Sequence, residues 1–313
     1  MQARLIAYPP DGAAISRMIP AVARLRIGRA TAEATSGTAP PGTEAECLPL
    51  AHASISRLHA ELRNVGGSWH LADLGSKNGS FVDGIRINEV RLPDSCWLRF
   101  GDVHCEFATV DDAHVEADAS RFAARRARAT AHTQQLGRIN DLDSMLDATL
   151  RSVLELAQCD RGFVLLEEGS GYSVRASIEL PPASLALREF SGSVGAVQRA
   201  MGERHAVVAN DISTQPWLAG RASVSAAGLS TLVCLPLLDG DDVLGAVYAD
   251  RVRPGAAIST LDVELLQAFV ENAAVWIAAR RAHDLLDAHT TPAEPPREHA
   301  WERIIANHAG QRR

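Results

Sequence analysis

The chain first changes its hydrophobic period near residue 110. Up to that point apolar residues come in short runs, mixed with polar ones and cut by turn residues. The runs are Arg4 to Tyr8, Arg24 to Gly28, Ala60 to Arg63, Trp69 to Leu74, Ser80 to Val82, Cys96 to Phe100 and Val103 to Phe107. Closely spaced β-rich runs of this kind predict the strands of a β-sandwich. Thr31 to Glu46, rich in Thr, Gly, Pro and Glu, interrupts the series and holds too little apolar surface to bury, so it is expected to be a mobile loop. Two turn dipeptides, Asn78-Gly79 and Asp83-Gly84, flank the three residues Ser80-Phe81-Val82. Three residues make a very short strand, so the first dipeptide is expected to do something other than close a plain hairpin.

Beyond residue 110 the period becomes helical. Asp111 to Ala119 is small and acidic and reads as a linker. Leu136, Ile139, Leu142, Met145, Leu146, Leu150, Val153 and Leu154 then fall at steps of three and four, which predicts one amphipathic helix over Leu136 to Leu156. Strands and helices mix after it: a hairpin of Arg161 to Glu167 and Tyr172 to Ile178, a helix from Val194 to Met201, and a short strand at Ala206 to Ala209. The strands Ser230 to Leu237 and Val243 to Asp250 follow, then a closing helix from Leu261 to Leu286. One sheet with a long helix at each sequence end makes an α+β domain. The tail from His289 is Pro/Glu-rich, with one short helix expected at Trp301 to His308. The divisions are a β-sandwich over 1–110, a linker and the start of a connecting helix over 111–134, an α+β domain over 135–287, and a flexible tail over 288–313.

At 313 residues the chain exceeds the usual single domain of about 100 to 150, which agrees with two. A net charge of -7, with both signs spread along the chain, excludes a broadly basic nucleic-acid surface. Arg121, Arg125, Arg126 and Arg128 form a short cluster with a single aromatic, Phe122, and read as a solvated helix face. The five cysteines, Cys47, Cys96, Cys105, Cys159 and Cys234, form no Cys-x-x-Cys pair and no zinc spacing, so free buried thiols and no metal are expected. No apolar run approaches the ~18 residues of a membrane span, and the N-terminus turns to proline before it could form a signal core, so a cytoplasmic, non-membrane protein is expected.

Three strings in the β-rich half carry the candidate chemistry: Gly28-Arg29, Ser56-Arg57-Leu58-His59-Ala60 and Ser76-Lys77-Asn78-Gly79. With the downstream Phe100-Gly101-Asp102, their order and spacing resemble the forkhead-associated (FHA) domain, a sandwich that reads phosphothreonine in a partner protein. A phosphothreonine carries about -1.5 to -2 charges and three acceptor oxygens, so its receptor needs donors from several loops. Arg supplies a planar charged fork, Ser a hydroxyl, and an Asn-Gly turn backbone N–H groups. The resemblance implies that Arg29 and Ser56 grip the phosphate, with Arg57 beside them and Lys77 reaching in. Asn78 would hold the bound peptide's main chain, while Gly28, His59 and Gly79 support the loops. Lys77 stands where the family often has Thr, and offers a charge in place of a hydroxyl. Singly, Arg29 reads as a surface charge, Asn78-Gly79 as a turn and His59 as a core histidine.

Residues from about 135 to 287 resemble a GAF domain, a sensory α+β module. The strings are Thr231-Leu-Val-Cys-Leu-Pro-Leu237, Asp239-Gly240, Leu244-Gly245-Ala-Val-Tyr-Ala-Asp250, Asn210-Asp211 before Pro216-Trp217, and the closing helix. The Asn-Lys…Phe…Asp-Glu pattern of cyclic-nucleotide-binding relatives is absent, and no Cys precedes a His as in bilin-binding ones. No particular ligand or cofactor is therefore expected, and His205 reads as structural rather than as a haem ligand. Asp250 and Tyr248 either face a pocket or end a strand. The apolar stripes of Leu136 to Leu156 and Val263 to Ile277 either pair across two chains as a homodimer or cover their own sheet.

No nucleophile elbow, Walker loop, His-Glu-x-x-His helix or Asp-rich metal loop is present, so no enzyme is expected. FHA and GAF halves in this order resemble the sensory front of bacterial signalling regulators. The expected function is an adaptor that binds a threonine-phosphorylated protein, a Ser/Thr kinase or its substrate, through the first half. The second half senses an unknown small molecule or dimerises. The alternative is a small-molecule sensor or regulatory subunit, in transcription or secretion, whose FHA half binds partners without phosphate.

Overall fold

The computed structural model describes residues 1–10, 12–21, 24–29, 46–169, 171–180, 194–210 and 229–288. The expected loop over Thr31 to Pro40 and on to Ala45, the Asp211 to Trp217 segment and the tail helix at Trp301 lie outside these residues. The chain divides into two compact units, Met1–Arg121 and Phe122–Arg313.

The first unit is a sandwich of two sheets. β1 (Gln2–Tyr8), β2 (Ile15–Ile19), β7 (Ser80–Val82), β8 (Ile85–Ile87), β10 (Ser95–Phe100) and β11 (Val103–Val110) form one, in the order β2-β1-β11-β10-β7-β8. β3 (Arg24–Gly28), β4 (Glu46–Pro49), β5 (Ala60–Val65), β6 (Ser68–Asp73) and β9 (Glu89–Arg91) form the other, in the order β4-β3-β5-β6-β9. Alternate residues of β1 are buried, and Leu5, Leu98, Phe100 and Phe107 of one sheet meet Leu25, Ile27, Leu62 and Trp69 of the other in one core. That alternation is the half-buried strand pattern read in the sequence. Four strands escaped the sequence reading: β2, β4, β8 and β9 are three to five residues long and mostly polar outward. Glu46, read as the end of a loop, opens β4.

Asp83 and Gly84 both take positive φ, 47° and 82°, between the paired residues Val82 and Ile85. This is the two-residue hairpin turn whose twist matches its strands. At the first dipeptide only Gly79 has positive φ, and the loop it belongs to runs from β6 to β7, one sheet to the other.

Helix α1 (Asp112–Leu136) corrects the expected linker at Asp111 to Ala119. The Asp111 carboxylate accepts from the His114 backbone N–H at 2.9 Å, a cap that starts the helix, and the small residues that follow include strong helix formers. The single helix expected over Leu136 to Leu156 is also corrected: α1 ends at Leu136, and α2 (Leu142–Ala157) begins anew where the Asp141 carboxylate accepts from Ser144 N–H at 2.7 Å. Of the arginine cluster, Arg121 pairs with Asp118, Arg125 with Asp262 at 2.7 Å and Arg128 with Glu155 at 3.5 Å.

The second unit is a five-stranded antiparallel sheet of β12 (Arg161–Glu168), β13 (Gly171–Ile178), β14 (Val207–Ala209), β15 (Thr231–Asp239) and β16 (Asp242–Arg251), in the order β13-β12-β16-β15-β14. Helix α3 (Val194–Glu203) packs on one face, against Phe163, Leu165, Cys234, Ala246 and Tyr248. Helices α2 and α4 (Thr260–Ala288) pack against each other and against the sheet. With both faces covered, β15 and β16 read as continuous apolar runs.

Tyr248 and Asp250 belong to the interior. The Tyr248 hydroxyl donates to Asp250 at 2.8 Å, Arg161 pairs with the same carboxylate, and both residues are fully buried. Burial pushes the Asp250 pKa up, only partly offset by the Arg161 guanidinium and the Tyr248 hydroxyl. His205 is exposed, with its ring beside the Arg204 carbonyl. Four cysteines are buried and Cys47 is exposed, against the expectation that all five are buried. Burial raises the Cys96 thiol to about 11 and Cys159 to about 12, so neither is a ready nucleophile.

Both stripes offered as a dimer contact cover their own unit. Met145, Leu146, Leu150 and Val153 of α2 and Leu266, Phe269, Val270, Ala273 and Ile277 of α4 are buried.

Candidate functional site

The end of β3 is clamped between two loops. Leu50 N–H donates to the Gly28 carbonyl (2.9 Å), His59 N–H to the Ile27 carbonyl (2.9 Å), and Arg29 N–H to the Ser56 carbonyl (2.9 Å). Such contact leaves no room for a side chain at Gly28: a methyl there would stand 3.0 Å from the Arg57 carbonyl carbon and collide with its oxygen. The glycine lets the strand end lie directly against the Ser56-Arg57 backbone, which brings the side chains of Arg29 and residues 56–57 to one rim.

His59 ties this loop to the next. Its Nδ1 accepts from Ser56 N–H at 3.1 Å, and its Nε2–H faces the Gly79 carbonyl at 3.2 Å. One nitrogen accepting and the other donating defines a neutral ring. Burial also holds the His59 pKa below the ordinary imidazole value. The Phe100 ring meets it edge-on at 5.8 Å.

The loop from β6 to β7 is folded around Asp73. One carboxylate oxygen accepts from the N–H groups of Gly75 (2.9 Å) and Ser76 (2.8 Å), the other from the hydroxyls of Ser76 and Ser80 (both 2.6 Å). The buried Ser76 hydroxyl in turn accepts from Gly79 N–H at 2.9 Å. Ser76 is thus a strut within the loop, with its hydroxyl committed. Burial alone raises the Asp73 pKa, but its hydrogen bonds prevail and leave it below the ordinary carboxylate value.

The five residues read as ligand-binding all line one open cavity of ≈ 750 Å³, with Gly28, His59 and Gly79 behind it. Lys77 N–H donates to Ser56 Oγ at 3.0 Å, which occupies an acceptor site and leaves the hydroxyl proton free to donate. The Asn78 side-chain amide donates to the Ser54 carbonyl at 2.7 Å, so its Oδ1 remains as an acceptor for a peptide N–H. Arg29, Arg57 and Lys77 are exposed, and none forms an ion pair among the described residues. Two and four residues before Gly28 the contrast is plain: Arg26 and Arg24 share the carboxylate of Glu61, at 3.5 and 2.8 Å. The cations along the strand have a carboxylate partner and those at its end have none, which suits a site for a multiply charged anion.

Two supporting residues were not singled out in the sequence. Asp73 could have been found from Asp73-Leu74-Gly75-Ser76, an acid followed by a hydroxyl three residues on, the pattern of a side-chain-capped turn. Ser54 joins loops through contacts that no local pattern contains: its carbonyl holds Asn78 and its hydroxyl accepts from Asp102 N–H at 2.9 Å.

Asp73→Ala should strand two serine hydroxyls and two backbone N–H groups and cost on the order of 3 kcal/mol. The pH response follows from the two shifts. Asp73, with a lowered folded pKa, contributes stability above its unfolded value of about 3.9 that is lost as the pH falls through the folded one. For His59 the unfolded ring takes a proton first, from about pH 6.5 downward, so its neutral burial also costs stability on acidification. Protection of β3 and β6 amides against hydrogen exchange, taken relative to the intrinsic rate at each pH, should therefore fall below pH 6.5 and again below about pH 4. A flat response from pH 6.5 to about pH 4 would contradict the account of His59, and a flat response from about pH 4 downward that of Asp73.

A family profile described as the FHA domain matches residues 25–101, and one described as the GAF domain matches residues 141–277. Among solved structures, the FhaA FHA domain, complexed with the intracellular domain of another protein, shares 27% identity over 34% of this chain and 98% of its own, with a TM-score of 0.26. An FHA domain from Chlamydia trachomatis shares 20% over 36% of this chain and 100% of its own, with a TM-score of 0.28. The GAF domain of a phosphoenolpyruvate-protein phosphotransferase from Coxiella burnetii shares 12% over 52% of this chain and 98% of its own, with a TM-score of 0.44. No curated protein matches the chain. No described helix is long and apolar enough to cross a membrane. The chain thus carries an FHA domain over residues 25–101, followed by a GAF domain over residues 141–277.

Proposed function

We propose that this protein is a non-catalytic signalling adaptor whose FHA domain binds a threonine-phosphorylated partner, such as a Ser/Thr kinase or its substrate. The observation that carries the reading is the convergence of three unpaired cations, Arg29, Arg57 and Lys77, with the free Ser56 hydroxyl proton around one cavity. A doubly charged phosphate satisfies that set, whereas a carboxylate leaves most of it uncompensated. Capture of a phosphothreonine peptide library, with the unphosphorylated library as control, tests it. Equal capture of the two would favour the rival reading, a regulatory subunit or small-molecule sensor whose FHA domain docks without phosphate.

For the GAF domain we infer self-association through α4. Besides its buried stripe, α4 carries a second one, Leu265, Ala268, Asn272, Val275, Ala279, Ala282 and Leu286, at steps of three and four. Val275 is 61% exposed and Leu286 69%. Three heptads of this seam span about 30 Å, and the lone Asn272 suits pairing with its own copy across a parallel two-helix seam. Light scattering should give the mass of two chains for the wild type and of one for Val275→Glu. A single-chain mass for the wild type removes the dimer.

A further inference from the structure

The α1–α2 connection and the C-terminal half of α4 border an open cavity of ≈ 440 Å³ in the second unit. Small-molecule sites usually measure about 300 to 1,000 Å³. The core cluster that α3 forms with the sheet contains no residue of α2 or α4, so the cavity lies on the other side of the sheet from α3. Ile139, Met145 and Trp276 make its apolar wall, and Asn140, Arg280 and His283 its polar one.

The connection turns at once where α1 ends. Arg138 N–H donates to the Gln135 carbonyl and Ile139 N–H to the Leu136 carbonyl, both at 3.1 Å. Gly137 sits in this turn against the Trp276 indole, where a methyl would stand 3.3 Å from Cζ2. The glycine lets the ring approach the backbone of its own chain, yet Trp276 remains 44% exposed. One edge of the indole is thus packed on the turn while the rest opens on the cavity. Met145 is buried and Ile139 half-buried beside it. An indole face and a thioether both pack favourably on a second aromatic ring.

Arg280 is the one permanent cation of the lining. It is half-buried and forms no hydrogen bond or ion pair among the described residues, whereas its neighbour Arg281 donates to the Glu167 carbonyl at 2.8 Å. Asp141 lies within its field, but that carboxylate caps α2 by accepting from Ser144 N–H at 2.7 Å; this bond is the main cause of its lowered pKa, and Arg280 a lesser one. A partly desolvated guanidinium without a paired anion is a ready partner for a carboxylate, which its planar fork fits. One such cation beside an aromatic face matches a flat ring that bears a single acid group. A phosphate or a sugar would leave the apolar wall uncovered, and an amine would be repelled by Arg280.

We propose that this cavity is a small-molecule site of the GAF domain that takes an aromatic carboxylic acid, its ring stacked on Trp276 and its carboxylate held by Arg280. The site does not depend on phosphothreonine binding by the first unit, and it shares only Ala279 with the exposed stripe of α4. The full-length protein is titrated by calorimetry with naphthoate, and with naphthamide as the uncharged counterpart. Wild type should bind naphthoate saturably and at least about tenfold more tightly than the amide. Arg280→Gln should remove that difference, and Arg280→Lys should restore part of it. Trp276→Ala should weaken both compounds by about threefold or more. The preference for acid over amide is a ratio measured on one protein, and a general loss of structure weakens both compounds without erasing it in Arg280→Gln and returning it in Arg280→Lys. In NMR spectra the Trp276 indole N–H signal, identified by its loss in Trp276→Phe, should move as naphthoate is added. No saturable binding of naphthoate, equal affinity for acid and amide in the wild type, a preference that survives Arg280→Gln, or an unmoved Trp276 signal would each overturn the proposal.

Discussion

Arg29→Ala is expected to reduce capture of a phosphothreonine peptide by at least tenfold while leaving the fold intact. Residue 29 is held by its backbone, whose N–H donates to the Ser56 carbonyl, and its side chain is exposed and unpaired. Truncation therefore removes no internal contact. What it removes is a charged fork, each hydrogen bond of which is worth about 1.5 to 3 kcal/mol to an anion, roughly ten- to hundredfold in affinity. A micromolar interaction would pass beyond detection. Arg29→Lys should recover part of the loss, because it restores the charge without the bidentate geometry. Titration of each variant with phosphorylated and unphosphorylated peptide, beside thermal unfolding to establish that the fold is unchanged, is the measurement. Equal affinity of wild type and Arg29→Ala would defeat the assignment of this cavity as the phosphate site.

Gly28→Ala is expected to damage the same function by a different route. The added methyl meets the carbonyl group of Arg57, and this obstacle is backbone, which cannot swing aside like a side chain. Either β3 or the Ser56-Arg57 loop must move, against hydrogen bonds from His59 to Ile27 and from Arg29 to Ser56. Overpacking of this kind costs about 1 to 3 kcal/mol, and more where hydrogen bonds break with it. Hydrogen exchange in peptides of β3 and β5 should accelerate, and phosphopeptide affinity should fall even though every ligand-binding side chain remains. Unchanged protection together with unchanged affinity would mean that the loop yields freely, and that its position is not set by this contact.

The two substitutions mark different levels at which the site could be read. The residue types were legible: an arginine at a strand end, Ser-Arg-x-x-His and Lys-Asn-Gly form recognisable strings, and the cavity gathers all of them. Strand bounds were legible where alternation was clean, as for Arg24–Gly28. They were lost for strands such as Ile85–Ile87 and Glu89–Arg91, which are three residues long and defined by their neighbours more than by their own composition. The helix break at residues 137–141 was missed because the apolar spacing runs on through it, while the Asp141 cap that restarts the helix is a local event.

By itself the sequence determined the composition of the two units: a β-rich half with cations and hydroxyls at its turns, and an α+β half with apolar strands and long helices. Those properties are local, since period, turn chemistry and residue type are carried by neighbouring positions. Only the tertiary structure decided which charges stay free. Arg24, Arg26 and Arg29 look alike along the chain, yet Glu61 on the adjacent strand pairs with the first two and not with the third. The tertiary structure likewise decided that α4 has one apolar stripe against its sheet and another left uncovered. Pairing and burial depend on which elements face one another, and strand register and packing set that.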